Sequence, residues 1–190
     1  YFKNNKNSLV YNVINNGVDL DMFNVNKVVK NKKIRIVTHH WSPNLNKGYQ
    51  IYYDLWKYCQ KSDKYDFVFI GKNVPDLFKK VKIDGPYSCN ELAKQLNKYD
   101  IYISASIYDS CPNHILEAFS CGLPILYLDH EGGVKELSEK YKNVSLPFKN
   151  FDDLKIKLDE MSKNVFSYRN NVLKIRRKFN YTKSCENYLN

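Results

Sequence analysis

Short apolar runs, each bounded by charged or turn-forming residues, alternate along the chain with longer segments whose apolar residues are spaced for a helix. A short apolar run predicts a buried β-strand, whereas apolar residues three and four positions apart predict an amphipathic helix. The predicted strands are residues 34–38, 66–70, 99–104, 124–128 and 143–146, and the predicted helices among them are 48–59, 89–96, 112–121 and 134–140.

This alternation of strand and helix predicts an α/β fold with a Rossmann-like parallel sheet and helices on both faces. After residue 150 the pattern changes, because helical segments follow one another with no strand between them. These segments, residues 151–161, 164–178 and 181–189, are expected to form extra C-terminal helices on the finished sheet. Ligands bind beyond the carboxyl ends of parallel strands, here the loops after Thr38, Ile70, Ser104 and Leu128.

A chain of 190 residues is long enough for one well-buried domain and too short for two of ordinary size. No linker, repeat or low-complexity tract divides it. We therefore expect a single domain over residues 1–190, made of an opening segment (1–30), a core (31–150) and the C-terminal helices (151–190). Because the chain begins at Tyr1 and lacks a secretory signal, we expect it to be a fragment of a longer cytoplasmic protein.

The cysteines and histidines give no sign of a metal centre. The five cysteines are odd in number, widely spaced and without a C-x-x-C pair, so we expect reduced thiols. The adjacent His39 and His40 would point to opposite faces of a strand and have no third ligand nearby in the sequence. We expect no metal. No apolar run is long enough to span a bilayer.

The formal net charge of +10 admits a nucleic-acid-binding function. However, Lys, Asn, Tyr and Ile are all abundant, as an AT-rich genome would dictate, and the lysines are scattered rather than gathered on one helix. A positive field also suits a polyanionic small ligand or an anionic membrane surface. We therefore give nucleic acid little weight, and peripheral membrane association stays open.

Residues 109–124, DSCPNHILEAFSCGLP, carry the most specific signal in the chain. Pro112 suits the first position of a helix, Ser110 or Cys111 suits its cap, and the Gly and Pro near the end suit its stop. The segment therefore predicts a short helix whose N-terminus faces the ligand side of the sheet. Free backbone N–H groups at that terminus, together with the helix dipole, suit a diphosphate.

Two carboxylates bracket the start of this helix. Asp109 lies in the loop before it, and Glu117 lies about 7.5 Å beyond Pro112 along the helix axis. A diphosphate over the helix start would place a ribose toward one acid and a sugar toward the other, and each carboxylate can accept hydrogen bonds from hydroxyl pairs. Nucleotide sugars have this layout. Each acid could instead be an ordinary helix acid, Asp109 interacting with the dipole and Glu117 with solvent.

The spacing of acid, seven residues and acid before Ala-Phe-Ser-Cys-Gly-Leu-Pro resembles the E-x7-E signature of GT4-like, group 1 glycosyltransferases. By this resemblance the chain would be the C-terminal, donor-binding half of a GT-B fold. Glu117 would hold the nucleotide ribose, and Asp109 would face the transferred sugar near its reacting carbon. The family usually has Glu where this chain has Asp109. The backbone around Cys111, Pro112, Asn113 and His114 would contact the sugar hydroxyls, although His114 could equally be a buried helix histidine.

Two earlier segments resemble the same family in the expected order. Residues 13–23, VINNGVDLDMF, resemble the segment that follows the interdomain hinge, so residues 1–30 would be hinge-proximal. Lys47-Gly48 resembles the lysine and glycine after the first strand, where the lysine would neutralise charge on the departing diphosphate. An arginine usually stands five residues before this lysine. Ser42 stands there in this chain, so phosphate binding would depend more on Lys47, with His39 or His40 as further candidates.

The remaining resemblances concern turns near the donor. Gly71 resembles the glycine turn that ends a strand near the donor, Pro86 and Tyr87 resemble the loop that passes the base, and Gly132-Gly133 resembles the family's G-G-x-x-E turn. All five residues are donor-binding candidates, although the glycine pair could be only a tight turn and Tyr87 only surface packing. Residues 19–21 copy the D-x-D metal motif of another glycosyltransferase fold but fall before the first core strand, so we assign them no metal.

The resemblance implies that the complete enzyme transfers a sugar from a nucleoside-diphosphate donor to an acceptor hydroxyl with retention of configuration. It further implies catalysis by Asp109 and Lys47 without an essential metal or other cofactor. The acceptor-binding domain would be the N-terminal half of the longer chain, so this chain alone would bind donor weakly and transfer little. Two alternatives stay open: a sugar-nucleotide epimerase of the related fold, and a non-catalytic nucleotide-sugar-binding module, which Asp109 and the absent arginine would fit.

Overall fold

A computed structural model of the protein describes residues 16–26 and 32–189. Its six strands are β1 Ile34–His40, β2 Tyr65–Gly71, β3 Ile83–Asp84, β4 Ile101–Ser104, β5 Ile125–Leu128 and β6 Ser145–Phe148. They form one parallel sheet in the order β3-β2-β1-β4-β5-β6. The strand order therefore reverses between β1 and β4, and ligand crevices open at such a switch point. The predicted Rossmann-like sheet is confirmed.

Two strands differ from the prediction. β1 extends to His40 because it pairs with β2 along its whole length, from Ile34 opposite Tyr65 to His40 opposite Gly71. β3 is absent from the prediction, since two residues are too few to show a period. It is held in the sheet by pairing with the end of β2.

Seven α-helices connect and follow the strands in the described part of the chain. They are α1 Tyr49–Gln60, α2 Cys89–Leu96, α3 Asn113–Ser120, α4 Gly133–Lys140, α5 Phe151–Lys163, α6 Val165–Ile175 and α7 Tyr181–Leu189. The predicted C-terminal helices are confirmed, except that the second ends at Ile175 and continues as the 3-10 turn Arg176–Phe179. Among the described residues no helix combines the length and the apolar composition that crossing a membrane requires.

Alternate residues of the central strands are buried against opposite faces of the sheet, as the period of two in a strand requires. On one face Ile36 and Ile101 pack with α1 and α5. On the other face Val37 and Tyr102 pack with α2 and α3. Helices therefore cover both faces, as predicted.

The opening segment, residues 16–26, packs against the C-terminal part of the chain. Val18 forms an isolated parallel bridge with Asn180. The Arg176 guanidinium donates to two carbonyls of the opening segment, at 2.6 and 3.1 Å. These contacts join the segment to the region after α6. Residues 13–15 of the family-like opening lie outside the described residues.

Candidate functional site

Two loops meet at the carboxyl edge of the sheet, one after β1 and one after β4. In the first, Leu45–Lys47 form a 3-10 turn that Gly48 ends with a φ of 79°. A Cβ at Gly48 would lie 2.1 Å from the Ala105 carbonyl oxygen, so only glycine allows this approach at a left-handed φ. The Ile107 amide also donates to the Asn46 carbonyl at 2.7 Å. These contacts hold Lys47 over the β4 loop.

Lys47 forms an ion pair with Asp109, at 2.7 Å between Nζ and Oδ2. The side chains keep 24% and 13% of their surface exposed, so solvent screens this pair less than a surface pair. The same carboxylate oxygen lies 3.7 Å from Nδ1 of His114, whose Nε2 is 3.1 Å from the Ser104 hydroxyl. The structure thus brings together the two residues predicted to act in catalysis.

The start of α3 corrects one prediction. The helix begins at Asn113, and Pro112 occupies its cap position rather than its first helical position, because the Pro112 ψ of 78° is not helical. Asp109 Oδ1 accepts the Cys111 amide at 3.3 Å and so helps to close the turn before it. The Asn113 amide donates to the Cys111 carbonyl at 2.9 Å. Two amides predicted to be free for a ligand therefore have acceptors within the loop, which a bound sugar would have to replace.

Gly132 and Gly133 support this loop from the start of α4. The Gly133 amide donates to the Asp109 carbonyl at 2.8 Å. A Cβ at Gly133 would lie 2.7 Å from Pro112 Cδ and 2.8 Å from the Ser110 carbonyl oxygen, so the loop and the helix touch through their backbones. At Gly132 a Cβ would lie 3.1 Å from the Asp109 carbonyl oxygen. The structure places both glycines behind the loop, where they set the position of Asp109.

Glu117 reaches from α3 to the end of β1, where it meets His39. Glu117 Oε2 is 2.8 Å from His39 Nε2. The His39 side chain is 2% exposed, whereas that of Glu117 is 22% exposed. The second oxygen of Glu117 has no hydrogen bond to any residue that the structure describes. One carboxylate oxygen is thus tied to a buried ring, and the other is available to a ligand.

His40 has a different hydrogen-bonding partner from His39. Its Nε2 lies 2.9 Å from the Tyr52 hydroxyl. Burial, followed by the neighbouring His114, His39 and Lys47, lowers the pKa of His40 well below 6.5. Burial also lowers the pKa of His114 well below 6.5, with His39 and Lys47 adding to the effect. The rings proposed as phosphate contacts thus have other partners, Tyr52 for His40 and Glu117 for His39.

The remaining predicted donor contacts lie along the same edge, farther from Lys47. Gly71 ends β2 opposite His40. Pro86 and Tyr87 follow β3, the outermost strand on that side, and the Tyr87 hydroxyl donates to Asp84 at 2.6 Å. This bond and partial desolvation raise the pKa of Tyr87 to about 12. Because β3 lies two strand spacings from β1, about 10 Å, only an extended ligand would reach both places.

A cavity of about 400 Å³ borders Cys111 and Pro112 on the edge of the same loop. Its other walls include Lys140, Lys178 and Lys183, but neither of the two candidate carboxylates lines it. The three charged candidates therefore lie outside this cavity, whereas the predicted donor contacts Cys111, Pro112 and Gly133 line it.

The described residues contain no group of three His, Cys, Asp or Glu side chains placed to hold a metal ion. Asp19 of the D-x-D sequence caps its own turn, since its Oδ1 accepts the amides of Asp21 and Met22 at 2.9 and 3.1 Å. This carboxylate therefore has a local structural role.

A family model described as glycosyl transferases group 1 matches residues 31–164. The match covers most of the chain, which therefore belongs to the group 1 glycosyltransferase family. A search of curated protein sequences finds no match. The family gives no support to the epimerase alternative.

Solved glycosyltransferase structures share the fold. Sucrose-phosphate synthase from Thermosynechococcus elongatus matches with a TM-score of 0.75 and 14% identity, over 93% of this chain and 50% of that one. HepE from Anabaena, in complex with UDP and glucose, matches with a TM-score of 0.73 and 17% identity, over 94% of this chain and 55% of HepE. The C-terminal domain of the group 1 protein LpcC from Francisella tularensis matches with a TM-score of 0.66 and 18% identity, over 86% of this chain and 99% of that domain. The fold is that of a GT-B C-terminal domain, and the chain spans about half the length of the first two proteins.

Proposed function

We propose that this chain is the donor-binding domain of a retaining, GT4-like hexosyltransferase that uses a nucleoside-diphosphate sugar. The observation that carries the proposal is the position of Asp109 and Glu117 on either side of the start of α3, with Lys47 2.7 Å from Asp109. A cation and a helix N-terminus at the switch point suit a diphosphate, and flanking carboxylates suit its hydroxyl-bearing ends. The complexes of HepE with UDP, glucose and UDP-glucose support this class of ligand.

Each charged residue has a separate role in the proposed complex. Glu117 accepts hydrogen bonds from the ribose through the oxygen that His39 leaves unoccupied. Lys47 moves from Asp109 to the diphosphate, whose charge exceeds that of a single carboxylate. Asp109, released from Lys47, accepts hydrogen bonds from the hydroxyls of the transferred sugar.

The proposed transfer breaks the bond between the anomeric carbon and a diphosphate oxygen and joins that carbon to the acceptor oxygen. The acceptor proton passes to the departing diphosphate on the same face, so the configuration is retained. Lys47 and the positive end of α3 stabilise the charge that develops on the leaving group, and we assign this work to them rather than to a metal ion.

The acceptor hydroxyl would come from a partner domain in the N-terminal part of a longer chain. The net charge of +10 also suits an acceptor presented at an anionic membrane surface. A product of the whole protein that keeps the anomeric configuration of the donor would support the proposed transfer.

Calorimetric titration with UDP, GDP and ADP tests the donor site. We expect one of them to bind, and Glu117→Ala to weaken its binding at least about tenfold, because a hydrogen bond to a charged group contributes about 1.5–3 kcal/mol. Glu139→Ala is the matched control, since Glu139 is an exposed acid on the neighbouring helix α4. The proposal is wrong if none of the three binds at millimolar concentration, or if Glu117→Ala binds as tightly as Glu139→Ala.

A further inference from the structure

A chain of hydrogen bonds runs from the backbone of β1 to the Glu117 carboxylate. The Tyr102 hydroxyl accepts the His39 backbone amide at 3.1 Å and lies 3.2 Å from His39 Nδ1. His39 Nε2 lies 2.8 Å from Glu117 Oε2. Because a carboxylate can only accept, the hydrogen of this last bond lies on Nε2. The Tyr102 hydroxyl is then placed to donate its own hydrogen to Nδ1, which fixes the ring orientation.

The neighbouring residue shows the same construction without a carboxylate at its end. The Tyr52 hydroxyl accepts the Ala105 amide at 2.8 Å and lies 2.9 Å from His40 Nε2. His40 is 4% exposed and His39 is 2% exposed, so burial does not distinguish the two rings. What distinguishes them is that His39 alone of the two contacts Glu117.

We propose that His39 is a positioning residue that presents Glu117 to the ribose, and that Tyr102 sets the orientation of His39. The inference rests on the proposed function and adds to it the source of ribose recognition. A glutamate side chain on a helix has several rotatable bonds, and fixing them before the ligand arrives removes an entropic cost from binding. With Oε2 bound to His39, the partly exposed carboxylate is held in one orientation.

This geometry assigns His39 an effect on a specific part of the ligand. If His39 only stabilised the fold, its loss would weaken the binding of every nucleotide equally. If it positions Glu117, its loss weakens the binding of ribonucleotides and leaves the binding of their deoxy analogues almost unchanged. The ratio of the two affinities therefore separates positioning from general damage.

The experiment measures, by calorimetry at neutral pH, the binding of UDP, GDP and ADP and of their 2′-deoxy and 3′-deoxy counterparts. The wild-type chain should prefer one ribonucleoside diphosphate over at least one deoxy form by about tenfold or more, as expected for a hydrogen bond to a charged acceptor. Glu117→Ala should reduce this ratio to about one.

Three histidine variants test the inference. His39→Leu fills a similar volume without a donor and should reduce the ratio to about threefold or less. His39→Gln places an amide N–H near the position of Nε2 and should restore most of the ratio. His40→Leu is the matched control, because it removes an equally buried ring with an equivalent tyrosine partner, and the ratio should not change.

Tyr102→Phe is a second test, which leaves the His39 side chain itself unchanged. It removes the hydroxyl that orients the ring and should lower the ratio by an intermediate amount. A melting curve of each variant shows whether it folds. If His39→Leu does not fold, Tyr102→Phe and His39→Gln provide the test.

The outcomes separate the two proposals. If the wild-type chain binds none of the diphosphates, the proposed function fails and this inference fails with it. Suppose that the wild-type chain binds the ribonucleotide more tightly than a deoxy form and that Glu117→Ala abolishes this preference. If His39→Leu or Tyr102→Phe then keeps the wild-type affinity ratio, only the positioning role is overturned. A ratio that falls equally in His39→Leu and His40→Leu would also overturn it, since the effect would then follow from any buried change in β1.

Discussion

Lys47 and Asp109 are paired in the free site, whereas the proposed function requires them to separate when the donor binds. The pair is partly buried, so its attraction is stronger than that of a surface ion pair. A diphosphate offers Lys47 a larger negative charge at the same edge, which can offset the loss of this contact. Because Ser42 stands where the family usually has arginine, the proposed function assigns Lys47 a larger share of the phosphate binding.

Lys47→Met should therefore weaken binding of the preferred nucleoside diphosphate at least about tenfold, and binding of its monophosphate much less, because Coulomb attraction grows with ligand charge. Calorimetric titration with each diphosphate and its monophosphate, for example UDP and UMP, measures both effects. Lys72→Met is the control, since Lys72 is exposed and follows Gly71 at the same edge. Equal losses in the two variants would contradict a specific contact and indicate only the general positive field of the protein.

Sequence reasoning proposed His39 only as a phosphate contact and overlooked Tyr102, because the partners of both side chains come from distant parts of the chain. Asp109, Glu117 and Lys47 stand in local motifs and could be proposed from their spacing and family resemblance. The contact of His39 with Glu117 spans 78 positions, and its contact with Tyr102 spans 63. A lone sequence contains no signal for such pairs, because neither residue type nor spacing indicates which strands become neighbours.

At the scale of elements, the 109–112 loop owes its position to the start of α4. Gly133→Ala would place a methyl group 2.7 Å from Pro112 Cδ, which forces the loop or the helix to move. We expect a loss of about 1–3 kcal/mol in the free energy of unfolding, as for other overpacked positions. Donor binding should weaken as well, because Asp109 moves with the loop.

Urea unfolding and calorimetric titration of Gly133→Ala measure the two effects, with Glu139→Ala, a change on the exposed face of α4, as the control. The prediction is contradicted if Gly133→Ala has the same free energy of unfolding and the same donor affinity as Glu139→Ala. The loop would then tolerate the extra methyl group, and its contact with α4 would not fix its position.

Long periodic elements could be predicted from the sequence, and short or polar ones could not. The core strands and the helices after residue 150 follow from their apolar spacing. β3 has two residues and exists only through its pairing with β2. The end of β1 is polar, which indicates a loop, yet His39 and His40 continue the strand because they pair with Ile70 and Gly71 of β2. A tyrosine hydroxyl lies within hydrogen-bonding distance of each buried ring.

At the scale of the whole molecule, part of the positive charge is balanced by acids on the same helix. Lys155, Lys157 and Lys163 of α5 pair with acids of the same helix. Helical i,i+3 and i,i+4 pairs of this kind stabilise the helix surface by a few tenths of a kcal/mol each. The arrangement of these lysines agrees with the small weight given to nucleic-acid binding.

Two buried histidines link the stability of the whole domain to pH. The pKa of His40 and that of His114 are lowered well below 6.5, in each case by burial first and then by the neighbouring histidines and Lys47. The Asp109 carboxylate, 3.7 Å from His114, acts in the opposite direction, but Lys47 neutralises it at 2.7 Å. Both rings are therefore uncharged in the folded protein at neutral pH, whereas in the unfolded chain they titrate near pH 6.5, roughly the value of free histidine.

Below about pH 6.5 the unfolded chain binds more protons than the folded chain, so the free energy of unfolding falls as the pH falls. Two such groups give a maximum slope of about 2.7 kcal/mol per pH unit. We expect Tm to change little between about pH 8 and 7 and to drop between about pH 6.5 and 5.5. His40→Leu should reduce this drop by about half, because one of the two groups is removed, whereas His130→Leu, at an exposed position, should leave it unchanged. A Tm that stays constant down to about pH 5.5 would mean that the buried rings accept protons without unfolding the sheet, and would contradict the prediction.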